Sequence, residues 1–322
     1  MTNIPTLARL LVAAALATCM GAGHAQTAAQ QVRIIVPFAS GGSTDALGRA
    51  VAQKLAEVLG QAVVVDNRAG GGTVIGTQAL QAAPPDGNTL LLTTPDFVVN
   101  AFIQPKLPYD PLKDFAPIAV VAQNQLVMTA AASLQARSVP EVLRLARAQP
   151  GGLNYASAGI GSTAHLSGEL LQMLSGVKLT HVPYKGMGPA MADMLGGRTQ
   201  LTFVSWITIA QHVEQGKLAA IAVTGPKRLA ILPNLPTIAE TVPGFDLQVW
   251  FGFFAPKGTP PETLNRLHGA IAQVMKMPEL RQQLAGLGAE LGASTPREFN
   301  DLLAAEYAKW GKVVKAGNIK AE

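Results

Sequence analysis

The sequence predicts an α/β protein built from two doubly wound units, each a largely parallel sheet covered by helices. Three observations carry this reading. Short apolar runs rich in β-branched residues alternate with segments of helical period. Glycine-rich loops join several of those runs to the helices that follow. At 322 residues, with 48% hydrophobic and only 14% charged residues, the chain can bury two cores.

The N-terminus reads as a targeting segment. Arg9 supplies a minimal basic region, Leu10 to Met20 is an apolar stretch too short to span a bilayer, and Gly23-His24-Ala25 offers small residues for cleavage after Ala25. Residues 1–25 are therefore assigned as a signal peptide. Leu16-Ala17-Thr18-Cys19 weakly resembles a lipoprotein box, which leaves lipidation at Cys19 an open alternative. Cys19 is the sole cysteine, so the mature chain has no disulfide and no cysteine metal site. Loss of Arg9 lowers the formal net charge from +5 to +4. The remaining charges are scattered, which argues against a nucleic-acid partner and is compatible with an anionic ligand.

The first strand is expected at Val32 to Pro37, apolar enough to be buried on both faces. Leu47, Val51, Leu55 and Val58 then recur at helical spacing, with Gly60 placed as a C-cap. A second strand at Ala62–Val65, a loop from Asp66 to Gly72, a short helix to Ala83, a Pro84–Gly87 turn and a third strand at Thr89–Thr93 complete the first set. The second set has strands at Leu126–Ala131, Leu153–Ser157, Leu179–Tyr184, Gln200–Val204 and Leu218–Thr224. One of its helices starts at the capping box Ser138–Glu141. A late strand at Val249–Ala255 precedes a helix capped by Thr295–Glu298, whose Phe299, Leu302, Leu303, Tyr307, Trp310 and Val314 form a core-facing stripe.

Ligands of open α/β sheets bind beyond the carboxyl ends of the strands, so the loops there are the candidate site. In Pro37–Asp45, the pair Gly41-Gly42 allows close backbone approach, and Ser43 and Thr44 offer hydroxyls or a cap at a helix start. Unpaired N–H groups and the helix dipole make such a turn suited to an anion. An ordinary tight turn is the competing reading. Asp45 would repel an anion and is assigned a structural role, pairing with Arg49 one turn on. Ala158–His165 repeats the pattern with Gly161, Ser162 and Thr163. His165 lacks the partners of a catalytic triad or a metal motif and is assigned a structural role. The other mature histidines, His181, His212 and His268, read as isolated. Thr94, Tyr184, Lys185 and Ser205 close further strands and are candidate ligand contacts.

Over nearly the whole mature chain the sequence resembles the substrate-binding proteins of tripartite tricarboxylate transporters, also called Bug proteins. The resemblance rests on an ordered series: Ile35–Asp45 with Arg49, Val63–Gly70, Ala83–Leu90, Gly159–Leu166, Val182–Gly186, Leu235–Glu240 and Trp250–Pro256. It implies a type II periplasmic-binding-protein fold, with two doubly wound lobes around a central cleft. Lobe 1 would comprise 26–124 and 248–322, and lobe 2 residues 125–247. It also implies a periplasmic monomer that holds one end of a small mono-, di- or tricarboxylate at Phe38, Ala39, Ser43 and Thr44. Ala158, Gly161, Ser162 and Thr163 would hold the other end, with Thr94, Tyr184 and Ser205 as further contacts. Membrane permease subunits are the implied partner, and no catalytic residue, cofactor or metal is implied. Asn88 and Ser205 depart from the common pattern. Ser205 replaces a frequent acidic residue, which points to a ligand without an amino group. Two other functions stay open on sequence alone: a carboxylate-sensing co-receptor for a membrane kinase, and a periplasmic hydrolase.

Overall fold

The computed structural model describes residues 31–149, 151–284 and 289–320. The expected signal segment, with Cys19, lies outside the described residues.

The apolar runs form the strands expected of them. β1 (Val32–Val36), β2 (Val63–Asn67) and β3 (Thr89–Thr93) alternate with helices α1 (Ser43–Leu59), α2 (Val74–Gln81) and α3 (Asp96–Ile103). β4 (Phe115–Gln125) then passes into β5 (Val127–Ala131). The middle of the chain supplies α4 (Val139–Ala148), β6 (Leu153–Ser157), α5 (Thr163–Ser175), β7 (Leu179–Pro183), α6 (Met187–Leu195), β8 (Leu201–Val204), α7 (Trp206–Glu214) and β9 (Leu218–Val223). The chain ends with β10 (Gln248–Pro256), α8 (Pro261–Val274), α9 (Pro278–Leu284), β11 (Glu290–Leu291) and α10 (Pro296–Ala316).

Two sheets result, ordered β2-β1-β3-β10-β4-β11 and β7-β6-β8-β5-β9. Both sheets are mixed. β10 runs antiparallel to both β3 and β4, and β5 antiparallel to both β8 and β9. These two strands follow the passages of the chain between the sheets, so each arrives from the opposite direction to its neighbours. The other neighbours with crossover helices pair in parallel, β1 with β2 and β3, and β6 with β7 and β8. At the passages Thr224 Oγ1 accepts the Leu126 N–H (2.9 Å), and the Gln125 amide takes the Gly225 N–H (3.1 Å) and donates to Lys227 O (3.0 Å).

Amphipathic periodicity explains the layers. Leu47, Val51 and Leu55 of α1 are fully buried against the first sheet, each burial contributing roughly 1.5–3 kcal/mol. Gly60 ends α1 with φ +66°, a left-handed C-cap. The stripe on α10 is buried as expected, but it divides: Phe299 and Leu303 join the core containing Trp250 and Phe254, while Trp310 and Val314 join the core behind the second sheet. Thr295 and Glu298 cap each other reciprocally. At α4 the expected box is half formed. Ser138 Oγ accepts the Glu141 N–H, but the Glu141 carboxylate takes the N–H of Arg137 (2.6 Å) instead of that of Ser138.

One glycine sets the spacing beside the first loop. A Cβ on Gly76 in α2 would lie 2.7 Å from Pro37 Cβ, 2.9 Å from Pro37 Cα and 3.0 Å from Arg68 O. Backbone atoms of two strand ends cannot yield as a flexible side chain would. Gly76→Ala is therefore expected to destabilise the protein by about 1–3 kcal/mol in urea unfolding; an unchanged midpoint would contradict this packing.

Candidate functional site

A cleft of about 750 Å³ opens where five parallel strands end. Its first wall comes from Pro37–Ala39 after β1, Ala69–Thr73 after β2 and one face of α3, from Asp96 to Gln104 just past its end, after β3. Its second wall comes from Ala158–Ser162 after β6 and Pro183–Lys185 after β7. These segments follow the carboxyl ends of strands, where the sheet geometry puts ligands, and the volume suits a small molecule. The walls come together beside the cleft: a Cβ on Gly161 would lie 2.6 Å from Ile103 Cδ1 of α3, and Val99 and Ile103 share a core with Tyr155 and Leu166.

The first loop is held by Asp45. Gly41, at φ +89°, donates its N–H to Asp45 Oδ2 (2.8 Å), Asn67 Nδ2 donates to Oδ1 (3.0 Å), and Arg49 Nε lies 3.0 Å from the same oxygen. Burial opposes ionisation of Asp45, but the bonds from Gly41, Arg49 and Asn67 outweigh it and hold its pKa below 3.8. Asn67 also donates to Phe38 O (3.2 Å), which ties the loop to β2. Phe38 and Ala39 face the cleft. Ser43 and Thr44 do not: α1 has Gly42 at its N-cap, Ser43 is exposed, and Thr44 is buried beneath the turn.

The second loop repeats the device with a different acceptor. Gly161, at φ +76°, donates its N–H to His165 Nδ1 (3.0 Å), which requires a neutral ring protonated on Nε2. Ser162 caps α5 by accepting the His165 N–H and donates its own hydroxyl to Gly159 O (2.7 Å), so its side chain is spent inside the loop. Ala158, Gly161 and Ser162 line the cleft, and Thr163 lies beyond it on α5.

His181 is not isolated, contrary to expectation. Its ring stacks on His165 at 3.7 Å between centroids and 5° between planes, and its Nε2 is 2.6 Å from Ser157 Oγ. Ser157 Oγ also receives the Gly159 N–H (3.1 Å). Tyr155 donates to Glu169 Oε1 (2.7 Å), and His165 Nε2 is 3.8 Å from that oxygen. Burial lowers the pKa of His165 to about 3, aided by His181, and that of His181 to about 4. Burial raises Glu169. The cluster underpins the loop. Among the described residues, no group of three or more histidine, cysteine or acidic side chains is placed to hold a metal.

The remaining expected contacts divide. Tyr184 lines the cleft, but its hydroxyl donates to Asp193 Oδ2 (2.7 Å), itself paired with Arg198, so the ring is what faces the cavity. Thr94 is off the cleft, its hydroxyl donating to Asp96 Oδ2 (2.7 Å). Ser205 is off it as well, 3.0 Å from Thr208 Oγ1. The structure adds residues that sequence reading passed over: Asp96, Asn100 and Gln104 of and just after α3, together with Gly70–Thr73. Their spacing, i, i+4 and i+8, marks one helical face and was the available signal. Asn100 Nδ2 bonds Gly72 O and Thr73 Oγ1 (3.1 Å), holding a run of four positive-φ residues, Gly70 to Thr73, against the helix. Asp96 and Lys185 are the only charged side chains among the lining residues.

The model of the tripartite tricarboxylate transporter family receptor matches residues 47–319. The chain belongs to this family. BugT of Bordetella pertussis is 36% identical over 295 residues, covering 91% of this chain and 90% of BugT. The periplasmic binding protein BugD is 33% identical with a TM-score of 0.74, over 90% of this chain and 99% of BugD. Rpa4515 of R. palustris, solved with adipate, is 37% identical with a TM-score of 0.78, over 90% and 98% of the two chains. MatC of Rhodopseudomonas palustris, solved with malate, is 30% identical with a TM-score of 0.74, over 88% and 98%. The fold is that of the Bug-type periplasmic binding proteins, and the family is one of receptors rather than enzymes.

The stacked histidines carry a pH signature. Both stay neutral in the fold down to pH values at which the unfolded chain, near its ordinary 6.5, has already bound protons. Stability must therefore fall as pH drops below about 6.5, by up to about 1.4 kcal/mol per pH unit for each ring. Glu169 acts in the opposite sense, so the comparison is with a His165→Gln/His181→Gln variant that keeps Glu169. Urea unfolding from pH 7 to 5 should give a steeper loss for the wild type; parallel profiles would contradict the assignment.

Proposed function

We propose that the protein is a periplasmic receptor that captures a small mono-, di- or tricarboxylate and delivers it to the membrane subunits of a tripartite tricarboxylate-type transporter. The observation that carries this reading is the pairing of two glycine-rich loops, each leading into a helix N-terminus, on opposite walls of one cleft. Adipate and malate in two solved relatives support the ligand class.

In this reading residues 26–124 with 248–322 form one lobe and residues 125–247 the other, the first 25 residues having directed export. Phe38 and Ala39 meet one end of the ligand through backbone groups. The Ala158–Ser162 loop and Lys185 meet the other, with the Tyr184 ring packed beside them. Backbone N–H groups and the dipole of α5 replace water around a carboxylate at little reorganisation cost. Bending at Asn124–Leu126 and around Thr224 and Leu247 closes the walls on the ligand. The loaded, closed form is what the permease recognises.

Titration calorimetry of the mature protein, unfolded and refolded to strip carried-over ligand, against a panel of organic acids tests this. At least one acid should bind with a stoichiometry near one and raise the melting temperature. No heat and no shift with any acid would refute it.

A further inference from the structure

The two charged groups of the cleft stand on opposite walls. Asp96 opens α3 on the wall built by the first sheet, and Lys185 follows β7 on the wall built by the second. Neither forms an ion pair with another described residue. Asp96 is partly buried, and the donor it meets is the Thr94 hydroxyl. An ionised carboxylate has about four acceptor sites, so this leaves acceptor capacity unused on a cavity wall.

The positive end of α3 is thus already occupied by Asp96 and is not available to a ligand anion. A bare carboxylate beside an ionised Asp96 would bring two acceptor-only groups together, whereas a ligand ammonium or hydroxyl donor favours the ionised form against the burial that pushes this carboxyl upward. The opposite wall has the contrary character: the Lys185 ammonium and the loop that leads into α5.

We infer that Asp96 sets the polarity of the ligand: the bound acid carries an ammonium or hydroxyl donor that faces Asp96, while its carboxylate faces Lys185 and the Gly159–Ser162 loop. This rests on the carboxylate-receptor reading and narrows it to amino and hydroxy acids. It also reverses the expectation drawn from Ser205, since the acceptor missing there is supplied from the other wall.

The test is calorimetry at pH 7 with matched sets of acids, in which each mono- or dicarboxylate of two to six carbons is paired with its 2-amino and 2-hydroxy counterparts. The wild type should bind one substituted acid at least about tenfold tighter than its unsubstituted partner, because an unmatched buried acceptor rejects the analogue that lacks the donor. Asp96→Asn should reduce that preference to about threefold or less. Asp96→Ser, which keeps a polar helix start, should do the same and serves if the Asn variant fails to fold. A role confined to α3 stability would shift the melting temperature and leave the preference intact, which would overturn the inference. A wild-type preference for the unsubstituted acids would overturn it equally. If no acid of either kind binds the wild type, the receptor reading falls, and this inference with it.

Discussion

Each wall of the cleft depends on the same local bond: a glycine in the left-handed region donates its N–H to a buried acceptor four residues ahead. Gly41 donates to Asp45, and Gly161 to His165. The bond folds the loop back over the first turn of the helix and turns its outer backbone towards the cavity. Only glycine adopts the required φ without strain. The two acceptors differ in charge, and each environment enforces the difference. Asp45 stays ionised because Arg49 and Asn67 join the glycine in bonding it, whereas His165 stays neutral because it is buried against a second imidazole.

The residues that shape the loops are consequently not free to bind. Asp45, His165, Ser162 and Tyr184 spend their polar atoms on neighbours, as does the Asn100 amide nitrogen, and the ligand surface is left to backbone, apolar side chains, Asp96, Gln104 and Lys185. This division suits a receptor that must hold its donors in place before the ligand arrives, since ordering them at the moment of binding would cost affinity. It also explains how a buried histidine among polar neighbours is consistent with a protein of a receptor family. The imidazole faces Glu169, Tyr155 and His181, and its acceptor nitrogen is occupied by the loop.

Much of the fold was legible because burial leaves a plain trace in a parallel sheet. β3 and β6 fall at their expected bounds, and β1 within one residue of them; every residue of β3 is buried, and β1 and β6 are buried but for Arg33 and Asn154. Strand direction was not legible: β5 and β10 are as apolar as their neighbours, and nothing in hydrophobic periodicity records which way a strand enters. β4 was hidden for a related reason, as its apolar stretch runs straight into a passage between the sheets. At the site, the glycine loops announced themselves, while the face of α3 did not, because Asp96 and Asn100 sit among Phe97, Val98 and Val99 and read as part of a core helix. The stacking of His181 on His165 joins residues on different elements and has no sequence trace. The hydroxyls of Ser162, Thr94 and Tyr184 could be counted in the sequence, but which partner would take them is decided by tertiary packing.

The central claim is that this cleft exists to hold a carboxylate. Mass spectrometry of the small molecules released on denaturing the protein purified from its own periplasm addresses that directly. The account predicts an organic acid approaching one per chain. A stoichiometric solute without a carboxyl group would contradict it.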